Sequence, residues 1–142
     1  MTITNHKSRI HGLLSIVLLP LLFFACTSPP SSEEKAVIAT AERFFHALAA
    51  KDSAAARAVM MPEGRFFSVR EDGTIRSQTH LEFFDRIASE TNDFLERMWE
   101  PTVLVHGPIA VLWTQYDFHR NGQFSHCGID AFSLIKTNDG WK

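Results

Sequence analysis

The dipeptide Asn121-Gly122 constrains the fold of this chain more than any other feature of its sequence. It separates two apolar runs that alternate with period two, IAVLWTQYDFHR before it and QFSHCGIDAFSLI after it. Asn-Gly between such runs favours a type I′ turn, because this turn needs positive φ at both central residues. We therefore expect a β-hairpin in which a two-residue loop pairs Arg120 with Gln123.

The register that follows from this turn predicts a pocket wall. Counting back from the loop, Asp117 is expected opposite His126 and Trp113 opposite Asp130, with Phe132 further along the same face. Gly128 would leave the space between these side chains empty. The prediction depends on the register, because a bulge or a slip of one residue moves every side chain of a strand to the other face.

The other face of the same hairpin is predicted to be apolar. It would carry Tyr116, Phe118 and Ile129, which are more large apolar side chains than a soluble monomer usually exposes in one patch. We expect this face to be covered by a second copy of the chain, as a homodimer, or by helices. Cys127 belongs to this face, where a small buried hydrophobic role is expected.

The N-terminal segment is typical of a secretory signal peptide. A positively charged start precedes an apolar run over 13–24 that is too short to span a membrane of ~30 Å as a helix. The run ends at Ala25-Cys26 and resembles a bacterial lipoprotein signal, in which the cysteine is acylated. The segment 1–26 is therefore interpreted as the signal peptide, and the Pro/Ser-rich segment 27–35 as a linker. These features predict the bacterial cell envelope, with lipidation of Cys26 as the membrane anchor.

The lipoprotein interpretation leaves two alternatives open. Phe23 and Phe24 stand where such signals usually have leucine and a small residue. Ordinary signal cleavage and an uncleaved anchor therefore both remain compatible with the sequence.

The rest of the chain, 36–142, is predicted to form one α+β domain. Apolar spacing predicts a helix over 36–50 and a short helix through 60 that Asp52 or Ser53 can cap. A hairpin around Asp72-Gly73 follows, then a helix over 79–90 with a Thr79/Glu82 capping box and a strand from 94 before the central hairpin. Trp141-Lys142 begins a strand that the sequence does not continue. We therefore expect the natural chain to extend further.

Composition excludes several classes of function. The 142 residues carry a formal charge of −2 and are 45% hydrophobic, which is typical of one globular domain without the basic stripe that nucleic acid requires. The sequence has no Gly-rich phosphate loop, no nucleophile elbow and no clustered metal-ligand motif, so neither a cofactor nor a metal is predicted. With two cysteines, one of them Cys26, a disulfide framework is not expected.

Three segments of the domain resemble the nuclear transport factor 2-like family, in its polyketide cyclase-like branch. They are AERFFHALAAKD, WTQYDF with NGQFSHCGIDAFSLI, and NDGWK. The resemblance implies a cone-shaped fold, in which a curved antiparallel sheet wraps the N-terminal helices and encloses a pocket, and commonly a homodimer. The family includes isomerases, dehydratases, cyclases and assembly modules, so the fold does not decide the activity.

The primary functional hypothesis is a domain that binds a small organic ligand in a partly apolar pocket. The residues expected to bind the ligand are those of the predicted wall: Trp113, Asp117, His126, Asp130 and Phe132. An alternative is an isomerase, dehydratase or cyclase in which Asp117 and His126 form an acid–base pair and Asp130 supplies a second carboxylate. A further alternative is a dimeric assembly module. A purely structural interpretation makes Asp117 and His126 a cross-strand pair at the rim.

Overall fold

The computed structural model describes residues 29–70 and 72–142. The predicted signal peptide, including Cys26, lies outside these residues. The elements in chain order are α1 (Ser32–Ala50), α2 (Ser53–Ala58), β1 (Arg65–Val69), β2 (Ile75–Thr79), α3 (His80–Ser89), β3 (Phe94–His106), β4 (Ile109–Arg120), β5 (Gln123–Thr137) and β6 (Gly140–Trp141). Within the described ranges, no helix has the length and apolar character needed to cross a membrane.

Helix α1 begins at Ser32, four residues before the predicted start, because Ser31 caps it. The Ser31 hydroxyl accepts a hydrogen bond from the Glu34 amide at 3.2 Å, and the Glu34 carboxylate accepts one from the Ser31 amide at 2.6 Å. This capping box satisfies amides that the first helical turn leaves without partners. The helix ends where Lys51 adopts a left-handed conformation, with φ of 54°.

The second and third helices each begin directly after a residue that the sequence predicts as a cap. Asp52 accepts hydrogen bonds at 2.9 Å from the amides of Ala54 and Ala55, at the start of α2. Thr79 and Glu82 form the predicted capping box of α3. Between these helices, β1 and β2 form a separate two-stranded antiparallel sheet.

The main sheet is antiparallel, with the strand order β3-β4-β5-β6. Its concave side packs on α1, and the core lies between them, with these members almost fully buried: Val37, Ala41, Phe44, Phe45, Ala110, Leu112, Leu134 and Trp141. A smaller apolar cluster, which we call the Phe94 cluster, joins α1, α3 and the sheet through Leu48, Phe83, Ile87, Phe94 and Phe118. The predicted α+β cone, with a curved sheet around N-terminal helices, is confirmed.

The predicted turn is present, but a bulge changes the register beyond it. Asn121 and Gly122 have φ of 49° and 73°, and Arg120 pairs with Gln123 as expected. Phe118 then pairs with His126, so Ser125 is an extra residue in β5. Side chains alternate along a strand, so one inserted residue changes which side chains of β4 and β5 share a face. Beyond Ser125, every residue of β5 lies on the face opposite to the one that the unbulged register predicts, relative to β4.

The predicted pairs of Asp117 with His126 and of Trp113 with Asp130 are therefore wrong. His126 lies opposite Phe118, and Asp130 lies opposite Thr114. The sequence shows the turn but carries no comparable signal for a bulge three residues after it.

A second irregularity lies in β3, between Trp99 and Thr102, where Glu100 has φ of 45°. The fully buried Thr114 hydroxyl lies against this bulge, 2.8 Å from the carbonyl oxygen of Trp99 and 3.0 Å from that of Gln115. A bulge bends its strand and increases the local twist. We infer that this bend contributes to the concavity of the sheet.

Candidate functional site

The concave face of the sheet carries three of the five predicted site residues. His126, Asp130 and Phe132 share a face with Thr114 and Leu112, both fully buried under α1. Phe132 packs edge-on against Phe44 and Phe45 of α1, with ring centroids 5.9 and 5.7 Å apart, so it belongs to the core. His126 and Asp130 remain as polar groups on the concave side.

Trp113 and Asp117 lie on the convex face instead. Asp117 is held by Arg97 of the neighbouring strand, with N–O distances of 3.0 and 2.5 Å, and the Nδ1 atom of His119 lies 3.6 Å away. Hydrogen bonding to Arg97 is the main reason why the pKa of Asp117 lies below its usual value. The predicted Asp117–His126 dyad is therefore wrong.

Two carboxyl groups meet on the concave face, and one was not predicted. Glu96 of β3 lies within hydrogen-bonding reach of Asp130 of β5. Burial, the charge of Asp130 and a hydrogen bond to it raise the pKa of Glu96 to about 9. Burial also raises the pKa of Asp130, although the hydrogen bond from Glu96 and the charge of His126 oppose this shift. At neutral pH the pair therefore retains a proton, and the larger upward shift is that of Glu96.

Tyr116 completes this polar group and occupies the space over Gly128. A Cβ atom at Gly128 would lie 2.9 Å from the Tyr116 ring and 2.9 Å from its hydroxyl. Glycine is therefore needed because the ring approaches the backbone this closely. Burial, followed by the charges of Asp130 and Glu96, raises the pKa of the Tyr116 phenol, so it stays protonated and can donate a hydrogen bond.

His126 links the carboxyl pair to the Phe94 cluster. Its ring lies 5.0 Å from the Phe118 ring and perpendicular to that of Tyr116 at 5.8 Å. Its Nδ1 atom is 3.2 Å from the hydroxyl of Ser125, the residue that the bulge inserts. The concave face thus has an apolar, aromatic end and a polar end.

The polar end combines a protonated acid, a second carboxyl group and a phenol. Glu96, Tyr116 and Asp130 are each partly buried and keep some exposure to solvent. A carboxylic acid kept neutral by its surroundings can donate a hydrogen bond to a carbonyl or enolate oxygen. Two carboxyl groups whose proton affinities differ can also divide the roles of acid and base.

Another concavity lies outside this face. A groove of about 500 Å³ runs between α1, α2 and β6 and is lined by Arg43, His46, Asp52, Asp139 and Trp141 among others. Its charged groups already have partners: Asp52 caps α2, and Arg43 donates to Thr40. We therefore place the candidate site on the concave face, where the polar groups point at one another and their proton affinities are strongly shifted.

Sequence reasoning missed Glu96 and Tyr116. In FLERMW, Glu96 shares a strand face with Phe94 and Met98. This pattern, a carboxylate between two apolar side chains on one face of a strand, indicates a buried acid. The role of Tyr116 depends on the bulge, which moves it from the predicted outer face to the concave one.

The convex face carries a set of exposed apolar side chains. The set consists of Leu104, Ile109, Val111, Trp113, Ile129 and Ile135, each at least 41% exposed. Tyr116 and Phe118, predicted for this face, lie on the other because of the bulge, and Cys127 is exposed rather than buried. Among the described residues, no cluster of His, Cys, Asp or Glu could hold a metal ion.

Solved structures identify the class of fold. An NTF2-like superfamily protein from Salmonella enterica serovar Typhimurium LT2 matches 76% of this chain and 83% of its own, with 18% identity and a TM-score of 0.62. A structure described as a "putative dehydratase" of the NTF2-like family, from Streptomyces avermitilis, matches 76% and 88%, with 17% identity and a TM-score of 0.58. The CaMKII hub of S. rosetta matches 81% and 93%, with 19% identity and a TM-score of 0.61. The fold is NTF2-like.

The sequence places the chain in a narrower group. Residues 32–142 match the family described as "putative lumazine-binding", and the chain belongs to this family. No curated protein matches the chain.

Proposed function

We propose that the domain binds a flat, carbonyl-bearing heteroaromatic molecule on the concave face of its sheet. The observation that carries the proposal is the Glu96–Asp130 pair, in which a neutral acid lies beside Tyr116 and next to an aromatic cluster. The acid and the phenol would donate hydrogen bonds to a ring carbonyl, while Phe118 and His126 would contact the ring plane. The family description supports a lumazine, a bicyclic ring with two carbonyls, as the first compound class to test.

The test uses 1,3-dimethyllumazine, which has both carbonyls but no acidic N–H, and measures its affinity by calorimetry. We expect binding to weaken above about pH 9, where Glu96 loses its proton. Glu96→Gln should retain binding and lose this pH dependence, because the amide replaces the neutral acid as a donor. Glu96→Ala should weaken binding by about tenfold, the loss of a hydrogen bond worth ~1.5 kcal/mol.

The matched control is Asp117→Ala, which removes a carboxylate from the convex face. We expect it to leave the affinity unchanged. Absence of binding, or equal losses in Glu96→Ala and Asp117→Ala, would contradict the proposal.

An enzymatic function is the second candidate, favoured by the unequal proton affinities of Glu96 and Asp130. Asp130 would remove a proton next to a substrate carbonyl, and Glu96 would donate to the enolate oxygen. Dehydration, isomerisation and ring closure all begin with this step. Solvent deuterium exchange into the α-position of 2-tetralone, followed by NMR, reports it directly. Exchange that disappears in Asp130→Asn but persists in Asp117→Asn would support catalysis, whereas no exchange above the buffer rate would exclude it for this ketone.

The envelope location is proposed from the sequence of the N-terminal segment. Acylation of Cys26 would tether the domain to a membrane through the residues that precede α1, which are fewer than the predicted 27–35 linker because α1 begins at Ser32. More than one acyl chain would make the anchoring stable. Cys26→Ser should then move the protein out of the membrane fraction and remove the mass of the lipid. An unchanged distribution and mass would refute the anchor.

A homodimer through the convex face is proposed from the exposed apolar set given above. Trp113 is 44% exposed and Ile129 51%, next to Val111 on the same face. Ile129→Asp should give a monomer in sedimentation velocity, while the control Phe67→Asp, on the exposed β1 strand, should not change the mass. A wild-type monomer at micromolar concentration would refute the dimer.

A further inference from the structure

The Phe94 cluster is bordered by cations on the side away from the carboxyl pair. The Arg86 guanidinium lies 5.2 Å from the centre of the Phe83 ring. The Arg120 guanidinium and the Lys51 ammonium each lie 5.8 Å from the centre of the Phe94 ring. These cations come from α3, the end of β4 and the end of α1, so the fold brings them together from distant parts of the chain.

Arg76 adds a further positive charge from the small sheet. Arg76 of β2 pairs with Ser68 of β1, and Gln78 pairs with Phe66. Because side chains alternate along a strand, Arg76 lies on the same face of this hairpin as Gln78 and Phe66. Phe66 stacks on Phe83 of α3 at 4.4 Å, so this face of the hairpin is turned toward α3. The positive charges of Arg76 and Arg120 both act on Arg86.

These arginines have little compensating charge. Among the described residues, none of the ion pairs includes Arg76, Arg86 or Arg120. The Nε atom of Arg86 is buried without a hydrogen-bond partner. Burial and then the positive charge of Arg76 lower the pKa of Arg86, while Glu90 opposes the shift. A buried N–H donor without a partner is costly, and cations gathered around it repel one another.

We infer that the Arg76, Arg86 and Arg120 cluster binds an anionic group, a carboxylate or a phosphate, carried by the ligand of the concave face. The inference rests on the proposed function and specifies its ligand. The polar end would hold the ring carbonyl at Glu96 and Tyr116, and the ring would lie along Phe118 and His126. A negatively charged substituent would then reach the guanidinium groups, which bind such oxygens in a bidentate manner. The ligand class is thus an acidic heteroaromatic compound.

The test compares 1,3-dimethyllumazine with its 6-carboxylate, two probes that differ by one negative charge. We expect the carboxylate to bind at least about tenfold more tightly, because a hydrogen bond between two charged groups is stronger than one between neutral groups. The advantage should shrink when the salt concentration rises from about 50 mM to about 300 mM, because added salt screens the charges. Inorganic phosphate should compete with the carboxylate probe and not with the neutral one.

Two arginine variants test whether this cluster causes the preference for the carboxylate probe. Arg86→Gln and Arg120→Gln should reduce the ratio of the two affinities toward one, with the neutral probe unaffected. Arg120 is exposed, so its variant remains informative if Arg86→Gln fails to fold. Arg57→Gln, an exposed arginine on α2 that donates to Ser53, is the matched control and should keep the ratio.

The outcomes separate the two proposals. If the neutral probe binds and responds to Glu96→Ala, while both probes bind equally, the anion site is refuted and the proposed function stands. A preference for the carboxylate that survives in both arginine variants also refutes the site. If neither probe binds, the proposed function and the anion site both fail for this ligand class.

Discussion

Replacing Glu96 by glutamine should change how the stability of the protein depends on pH. The pKa of Glu96 is about 9 in the folded state, against an ordinary value of 4.5. Between these values the folded protein binds a proton that the unfolded chain releases. The free energy of unfolding therefore decreases as the pH rises through this window, by up to about 1.4 kcal/mol per pH unit for one proton.

Over the two units from about pH 6 to about pH 8, one proton accounts for at most ~2.7 kcal/mol, a large part of the stability of a small domain. Carboxyl groups with lowered pKa values, such as Asp117, change the stability only at pH values below this window. They lose their stabilising charge as the pH falls through their folded pKa. The glutamine of the Glu96→Gln variant cannot ionise, so the free energy of unfolding of this variant should vary less with pH. At alkaline pH it should exceed that of the wild type.

Urea unfolding followed by circular dichroism, at closely spaced pH values, measures both curves. All other ionisable groups are common to the two proteins, so the difference between the curves reports on the Glu96–Asp130 pair. The control is Glu42→Gln, at an exposed position on α1, which should run parallel to the wild type. Parallel curves for Glu96→Gln and the wild type would refute the conclusion that Glu96 carries a proton at neutral pH.

Further substitutions test the geometry around the site. Thr114→Val removes the hydroxyl that donates at the β3 bulge and should cost about 1–3 kcal/mol of stability in urea unfolding, whereas the exposed Thr102→Val should cost much less. Gly128→Ala should displace the Tyr116 ring, costing about 1 kcal/mol of stability, and should weaken probe binding; an unchanged affinity would mean that the ring position is irrelevant to the ligand. Thr79→Ala removes the cap of α3 and should lower stability by about 1 kcal/mol, which a thermal shift measurement can detect; no shift would show that the capping box is dispensable.

Part of the site was predictable from local sequence, and part was not. The Asn121-Gly122 turn, the Thr79 cap and the Asp52 cap depend on residues within one to three positions of each other, and the structure has all of them. His126 and Asp130 were correctly assigned to one face because they lie four residues apart in a single strand. Their partners were wrong because pairing between strands depends on the bulge at Ser125.

The elements of this protein, their order and the position of its central hairpin follow from local sequence, because turns, caps and alternation act over a few residues. Which side chains meet depends on how the strands pair in the folded sheet. Glu96 and Asp130 are 34 positions apart in the numbering, and one inserted residue selects the face that each strand presents to the other. The raised pKa of Glu96 likewise depends on burial and on a neighbouring charge, which no local pattern encodes.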